Sequence, residues 1–503
     1  MEKRMGHKRY AAASFLILLL ALSSAHSGGF TFDGIGVKAQ GMGGAFRAVA
    51  DDWSAAYYNP AGYGWIQDNM LSGNLALFHN RYYVTPEFKW GGQIASGYYN
   101  DIRLPNSHAI HNVPQVAALI RLPVANDEMV FGFSIIQSFD QNLDWTTVFG
   151  FQDIEMYGMR DIGPRQFYNN FDVVDAQLTA ARTFLEDDRL SVGLGIGLRR
   201  VDLKFSNLVL RRNPLLDNPE FGSYVERPYE RVPQWYENDG NGYGFCYRLG
   251  LMYAINEKTK VGLTYSGKST ITVDGSGTSV FFMGDNASLL SNNTLWTEVT
   301  EQYHFFAGEN FTNMYDFEAD VDVPAVFGGG ISYQFNEKLL LAADFEYVLW
   351  SQFKGFEFKS SNYSGVYDDF RYASFTYLND SLMRRDISYP VKWDDAMKFM
   401  AGANYQVNGY TQARVGFAYD QSPISEMTLT PHFVDLGNKI TFSAGLSFDI
   451  EVWRVEIAGT YTHHPDLTVG ELDEVNGDDL IDNFPGLYEA NTFQTVLGFT
   501  YRF

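Results

Sequence analysis

The chain has 503 residues, with 37 Lys and Arg against 60 Asp and Glu, a formal charge of −23. That balance argues against a nucleic-acid partner, whose phosphates need a Lys/Arg surplus. The one cysteine, Cys246, excludes an intramolecular disulfide and a multi-cysteine zinc site. Length alone would suit two or three soluble domains. Yet 40 Phe, 32 Tyr and 47 Gly accompany a mean hydropathy of only −0.20, so the apolar residues are dispersed and not gathered in blocks. No segment beyond the N-terminus has the ~18 consecutive apolar residues of a membrane helix. A large soluble β protein or a transmembrane β-barrel remains.

Residues 1–27 read as a secretory signal peptide. Lys3, Arg4, Lys8 and Arg9 form a positive start, Ala11–Ala25 is apolar but too short to span, and Ser23–Ser27 offers small residues for cleavage. Removing its one acid and four bases takes the charge from −23 to −26. Residues 28–69 are glycine-rich and show neither sustained alternation nor a helical stripe.

From residue 70 onward the pattern has period 2. Val192, Leu194, Ile196 and Leu198 alternate with Ser191 and three glycines, and Phe442, Leu446, Phe448 and Ile450 with Thr441, Ser443, Gly445, Ser447 and Asp449. Trp453, Val455, Ile457 and Tyr461 oppose Arg454, Glu456 and Thr460, and Phe493, Leu497, Phe499, Tyr501 and Phe503 oppose Gln494, Gly498, Thr500 and Arg502. Short polar turns fall at Asn126-Asp127-Glu128, Glu186–Arg189, Asn256-Glu257-Lys258, Asn336-Glu337-Lys338, Val407-Asn408-Gly409 and near Asp449–Val452. Long polar stretches lie between them, at 141–171, 205–241, 275–321, 360–392, 421–437 and 464–489. Alternating short turns and long loops mark an outer-membrane barrel.

The count is about fourteen strands: 70–84, 113–122, 129–140, 172–184, 189–204, 243–255, 259–274, 323–335, 339–359, 393–406, 410–420, 438–449, 452–463 and 490–503. Those at 189–204 and 339–359 should project beyond the membrane. Trp350 and Tyr461, near strand ends, suit interfacial girdles. A barrel this wide has a lumen its own side chains cannot fill, and residues 28–69 are a natural plug. The fold class is therefore all-β, a fourteen-stranded antiparallel transmembrane barrel (70–503) plugged by an N-terminal hatch (28–69).

At this point the residues match a known family. Gly28–Gly64, "GGFTFDGIGVKAQGMGGAFRAVADDWSAAYYNPAGYG", resembles the hatch of the FadL-type outer-membrane transporters of long-chain fatty acids and other hydrophobic compounds, with Asn59-Pro60-Ala61 at its signature. Val323–Phe353 resembles that family's mid-barrel hairpin ending in Trp-Ser, Ala413–Pro431 its Arg-x-Gly-Tyr-x-Tyr-Asp-x-Ser-Pro strand and loop (Phe417 replaces a Tyr), and "LGFTYRF" its tail. The resemblance implies a fourteen-stranded barrel, a hatch that rearranges, and passive uptake of an amphipathic substrate that leaves sideways through the wall. It places the wall gap at a kink in Phe131–Phe139, where no Pro, and no Gly after Gly132, advertises one. It further implies a Gram-negative-type outer membrane with its lipid and lipopolysaccharide, hydrophobic small-molecule partners, fatty acids first, no cofactor, and a monomer.

Phe30, Phe32, Asn59, Pro60, Ala61 and Gly62 are the hatch and substrate residues singled out. Asn59–Gly62 reads as a β-turn that also docks the hatch on the wall. Asp51 and Asp52 suit either a helix N-terminus or a bond to a barrel Arg. Arg121, Lys398 and Arg454 are candidate anchors for a substrate carboxylate, Arg454 sharing the lumen face with Glu456. Asp473, Asn476, Asp478 and Asp482 sit in an oxygen-rich stretch whose spacing departs from the EF-hand pattern, so a solvated loop is the plainer reading. His463-His464 reads as a polar strand end before a metal site. No Ser-His-Asp or paired-carboxylate arrangement is apparent, so no enzyme is expected. The rival is a related barrel serving as a protein-docking scaffold in secretion. An apolar lumen with an intact hatch would favour transport, and a loop-filled lumen with partner-binding outer surfaces the scaffold.

Overall fold

A computed structural model describes residues 34–149 (except 88, 91–92, 95–100, 108–109 and 125–126), 165–212, 231–282, 310–365, 386–470 (except 434 and 436) and 483–503. Residues 1–27, read above as a signal peptide, Phe30, Phe32 and all four calcium candidates, Asp473, Asn476, Asp478 and Asp482, lie outside the described residues.

The described chain is all-β, with fourteen antiparallel staves. These are β1 (Met70–Pro86), β2 (Ile110–Val124), β3 (Asp127–Phe149), β4 (Arg165–Phe184), β5 (Leu190–Arg212), β6 (Arg231–Asn256), β7 (Thr259–Ser266, then Ser269–Phe282), β8 (Asn310–Val323, then Val326–Gln334), β9 (Leu339–Val348, then Gly355–Gly365), β10 (Ile387–Pro390, then Ala396–Gln406), β11 (Thr411–Asp420), β12 (Lys439–Ile450), β13 (Trp453–His463) and β14 (Gly486–Arg502). Each pairs with its neighbour in sequence, and β1 pairs with β14 from Met70↔Arg502 to Pro86↔Gly486, closing the barrel. No described helix is long and apolar enough to cross a membrane.

Burial separates this barrel from a soluble sandwich. The alternating apolar face is the exposed one: Leu194 is 45% and Leu446 41% exposed, whereas Ser191 and Ser447 on the opposite faces are 0%. Apolar side chains turned outward and small polar ones inward suit a hydrocarbon surround and a polar lumen.

The strands are taller than alternation alone suggests. β3 continues to Phe149, β4 begins at Arg165, and β6 begins at Arg231. Four neighbouring staves break at one level, β10 among them between Pro390 and Ala396. β7 pauses after Ser266, β8 at Pro324-Ala325, and β9 at a 3-10 turn, Trp350–Gln352. Pro324 has no N–H to give a ladder. Trp350 is therefore no interfacial girdle residue: it is fully buried inside, with rings of Phe139 and Trp393 at 6.2 and 5.3 Å. Tyr461 does face outward.

Residues 34–69 lie inside the barrel at its short-turn end. They form two short helices, α1 (Val37–Gly41) and α2 (Ala55–Tyr58), and a 3-10 turn, Pro60–Trp65. Ile35, Met42, Phe46, Trp53 and Tyr63 pack against mostly small wall residues such as Ala76, Ala117, Ala342, Ala418 and Ala458.

Candidate functional site

The Asn59–Gly62 turn is seated on glycine. Asn59 Oδ1 accepts from Ala61 N (3.1 Å), and its Nδ2 donates to Arg47 O (2.8 Å) and to Leu251 O on β6 (3.3 Å). Ser191 Oγ on β5 donates to Ala61 O. The wall beneath is bare at three points: a Cβ on Gly193 would lie 2.2 Å from Pro60 C, one on Gly250 2.2 Å from Asn59 Oδ1, and one on Gly262 2.2 Å from Arg47 O. Gly193 and Gly250 are direct cross-strand partners. A second bare patch, Gly402, Gly416 and Gly445 on β10–β12, receives Gly41–Gly43; a Cβ on Gly416 would meet Gly43 N at 2.1 Å. Of the alternating glycines legible in β5, Gly193 is thus clearance for a second backbone, while Gly195 makes room for the Gln177 side chain.

Charge holds the same segment. Arg47 is buried and bonds Glu346 through Nη2, and Asp344 Oδ2 accepts from the backbone N–H groups of Phe46 (2.8 Å) and Arg47 (2.6 Å). Gly328 and Gly330 make room, since Cβ atoms there would strike Arg47 Nε and Asp344 Oδ1. Asp51 and Asp52 do not reach a barrel arginine: Asp51 accepts from Lys38 Nζ (2.6 and 2.7 Å), while Asp52 accepts from Ser54 N (2.8 Å) and Oγ (2.6 Å) at the start of α2. Burial first, then the neighbouring Asp51 and Glu456 carboxylates, push Asp52 up to about 6.

Above the segment the lumen is aromatic. Phe139, Phe205, Phe356, Tyr389, Trp393 and Phe433 belong to one buried cluster. The loop after β11, expected on the outside, enters it. His432 stacks on Phe205 (4.6 Å) and Phe433 abuts Trp393 (5.2 Å). Trp145 Nε1 donates to Pro431 O (2.9 Å), Asn169 Nδ2 to His432 O (2.8 Å) and His432 Nε2 to Ser206 O (2.7 Å). Burial holds His432 down at about 4. Irregular backbone tolerates such a position because its polar groups are satisfied.

Between the cluster and the N-terminal segment sits a small cavity touched by Arg47, Tyr57, Phe139, Arg199, Arg248 and Glu346. Arg199 grips Asp175 through two bonds (2.7 and 2.9 Å) and Arg248 through a third (2.7 Å), so two guanidinium groups share one carboxylate. A larger cavity of about 110 Å³ lies toward β1, β3 and β12–β14, lined by polar groups including Asn80, Gln141, Lys398, Lys439 and Thr462.

The wall parts beside that cavity. Among the described residues the β2–β3 ladder runs only from Val124↔Asp127 to Val116↔Ile135. Further up, β2 stays with β1 and β3 with β4, across a register shift between Gln137 and Phe139. The signal lay on the neighbouring strand: Pro114, at the edge where the ladder stops, has no N–H to offer β3.

Of the three cationic candidates, Lys398 lines the larger cavity and pairs with Asp420 (3.5 Å). Arg121 bonds Glu128 and Gln67 Oε1 (2.6 Å) at the short-turn rim, and Arg454 forks onto Asp449 (2.7 and 2.9 Å). Glu456 pairs with Arg414 (3.0 Å). His463 Nδ1 meets Asn491 Oδ1 (3.0 Å), while His464 is buried and lines the larger cavity. Arg47, Arg199 and Arg248 were not singled out in the sequence, because alternation does not distinguish one lumenal arginine from another.

A closed barrel with an apolar outer belt, an aromatic lumen and an internal N-terminal segment defines an outer-membrane transport protein. The family described as outer membrane protein transport protein (OMPP1/FadL/TodX) matches residues 18–503, and the chain belongs to it. A putative outer membrane protein of Neisseria meningitidis serogroup B is 21% identical over 496 residues, 96% of each chain. The crystal structure of a Pseudomonas aeruginosa FadL homologue superposes with a TM-score of 0.69 at 15% identity, covering 94% of this chain and 99% of that one. The toluene transporters TodX of P. putida (TM-score 0.64, 16% identity) and TbuX of Ralstonia pickettii (0.61, 18%) have the same coverage.

Proposed function

We propose that this barrel carries hydrophobic molecules, long-chain fatty acids or other hydrophobes, passively across the outer membrane and releases them sideways into it. The observation that carries this reading is Phe139. It belongs to the aromatic cluster and also sits on β3 where the wall parts from β2. A hydrophobe held by the cluster would pass the window straight into hydrocarbon, avoiding water at about 0.8 kcal/mol per exposed CH₂. In this reading residues 28–69 are the hatch, Asn59–Gly62 its dock, and Phe30 and Phe32 its leading end. Arg199, Arg248 and Lys398 face the two cavities where a substrate carboxylate would rest; Arg121 and Arg454 would act at the rim. Transport needs no catalytic group and no cofactor.

The test is organic extraction of the purified protein, followed by mass spectrometry, beside a variant lacking residues 28–62. Stoichiometric hydrophobe, lost or exchanged faster in the variant, supports the reading and names the substrate class. Detergent alone in both, with a co-purifying protein, favours the docking scaffold, which the inward loop 421–433 would also suit.

A further inference from the structure

We infer that His111 and Asp140 form a latch that holds the β2–β3 window shut, a role that rests on the lateral-release reading above. The window has described edges. Below, the ladder ends at Val116↔Ile135. Above, Ser107 N donates to Asp144 O (2.6 Å) and Asp144 N to Asn106 Oδ1 (2.8 Å), which ties the chain before β2 to β3. Between those ties, His111 Nε2 on β2 meets Asp140 Oδ2 on β3 at 2.6 Å.

Both side chains are set in place by their neighbours. The imidazole lies flat on Phe78, centroids 4.7 Å apart and planes 3° from parallel. Gln137 Nε2 donates to Asp140 Oδ1 (3.2 Å) and to Asp172 Oδ1 (3.0 Å), so β4 buttresses the carboxylate. The register shift after Gln137 is what lets this happen. Phe139 turns into the lumen and Asp140 stands at the strand edge facing His111. Asp140 and Phe78 also line the larger cavity, so a molecule leaving the lumen here must separate the pair. A side-chain pair is a weaker tie than the missing ladder, which suits a barrier that must open on each passage.

The test uses the full chain with Cys246→Ser, reconstituted in liposomes, with radiolabelled oleate and the dye 1-N-phenylnaphthylamine as probes. His111→Ala, Asp140→Ala and the double variant should raise the maximal transfer rate by the same factor, roughly two- to fivefold, at an unchanged half-saturating concentration. A merely structural role would lower the folded yield and leave that split unmoved; heat-modifiable gel migration reports the fold. His111→Cys/Asp140→Cys should transfer fast as a dithiol and stop when bridged by a short bismaleimide. An unbridged dithiol that transfers at the parent rate, while the bridged form stops, overturns the latch and leaves lateral release standing. Transfer indifferent to the bridge overturns lateral release, and no protein-dependent transfer of either probe overturns the proposed function.

Discussion

Gly250→Ala should undock the hatch while sparing the barrel. The added Cβ would lie 2.2 Å from Asn59 Oδ1, 2.7 Å from Ala61 N and 3.0 Å from Pro60 Cδ. Two of those neighbours are backbone-linked, so Asn59 must retreat by roughly 1 Å to restore contact distance. That breaks its bonds to Ala61 N, Arg47 O and Leu251 O. At about 0.5–1.5 kcal/mol each, the loss is about 1.5–4.5 kcal/mol, with no offset from unfolded-chain entropy because β6 stays folded whether the segment is docked or not. A loss of about 1.5–4.5 kcal/mol lowers the docked-to-undocked ratio by roughly ten- to two-thousandfold. The assay is limited proteolysis of residues 34–69 in reconstituted protein, with ion conductance as a second readout. Gly459→Ala, whose Cβ has its nearest neighbour at 3.9 Å, is the control. A Gly250→Ala hatch as protected and as non-conducting as the control would refute the glycine-seat argument.

Arg47→Met strips the guanidinium from buried Asp344 and from Glu346. It should cost about 3–5 kcal/mol of docking, read as faster amide exchange in residues 44–50; adding Asp344→Asn and Glu346→Gln should restore part of it. Asp52, raised from 3.8 to about 6, binds its proton more tightly when docked. Docking should therefore strengthen as pH falls from 7 toward 4, and Asp52→Asn should flatten that dependence in the proteolysis assay. His432 is lowered from 6.5 to about 4, so the inserted loop favours neutral imidazole. Insertion should hold above pH 6.5 and weaken as pH falls toward 4, seen as rising exchange in 421–433 and a shift in Trp145 fluorescence; His432→Phe should remove the trend.

The wall was legible because period-2 alternation and short polar turns report local chemistry. Each of the fourteen strands foreseen has its observed counterpart. Strand height was not legible: above the apolar belt the outward side chains turn polar, as with Arg200 and Asp202 on β5, so alternation fades while the ladder continues. The β8 break was written in Pro324; the irregularity of β3 between Gln137 and Phe139 falls within Phe131–Phe139, where the resemblance placed a kink, and Pro114 on β2 marks the edge of the parted ladder. The inward course of loop 421–433 could not be read, because Leu429 and Phe433 follow no period and find their partners on β3–β10 and the segment before β14. For the N-terminal segment, "NPAG" named the turn, but its seat lies more than 130 residues away on Gly193 and Gly250, and only register brings those two together.

The most direct test of the account is to photo-crosslink a diazirine fatty acid to the reconstituted barrel and map the attachments. The account predicts labels on the aromatic cluster, at Phe205, Phe356, Tyr389 and Trp393, and then at the window on Phe78, His111 and Ile136. Labels on the cluster followed by residues of the short-turn mouth, such as Arg121 and Gln67, with none at the window, would mean the molecule passes straight through the barrel and would contradict lateral release.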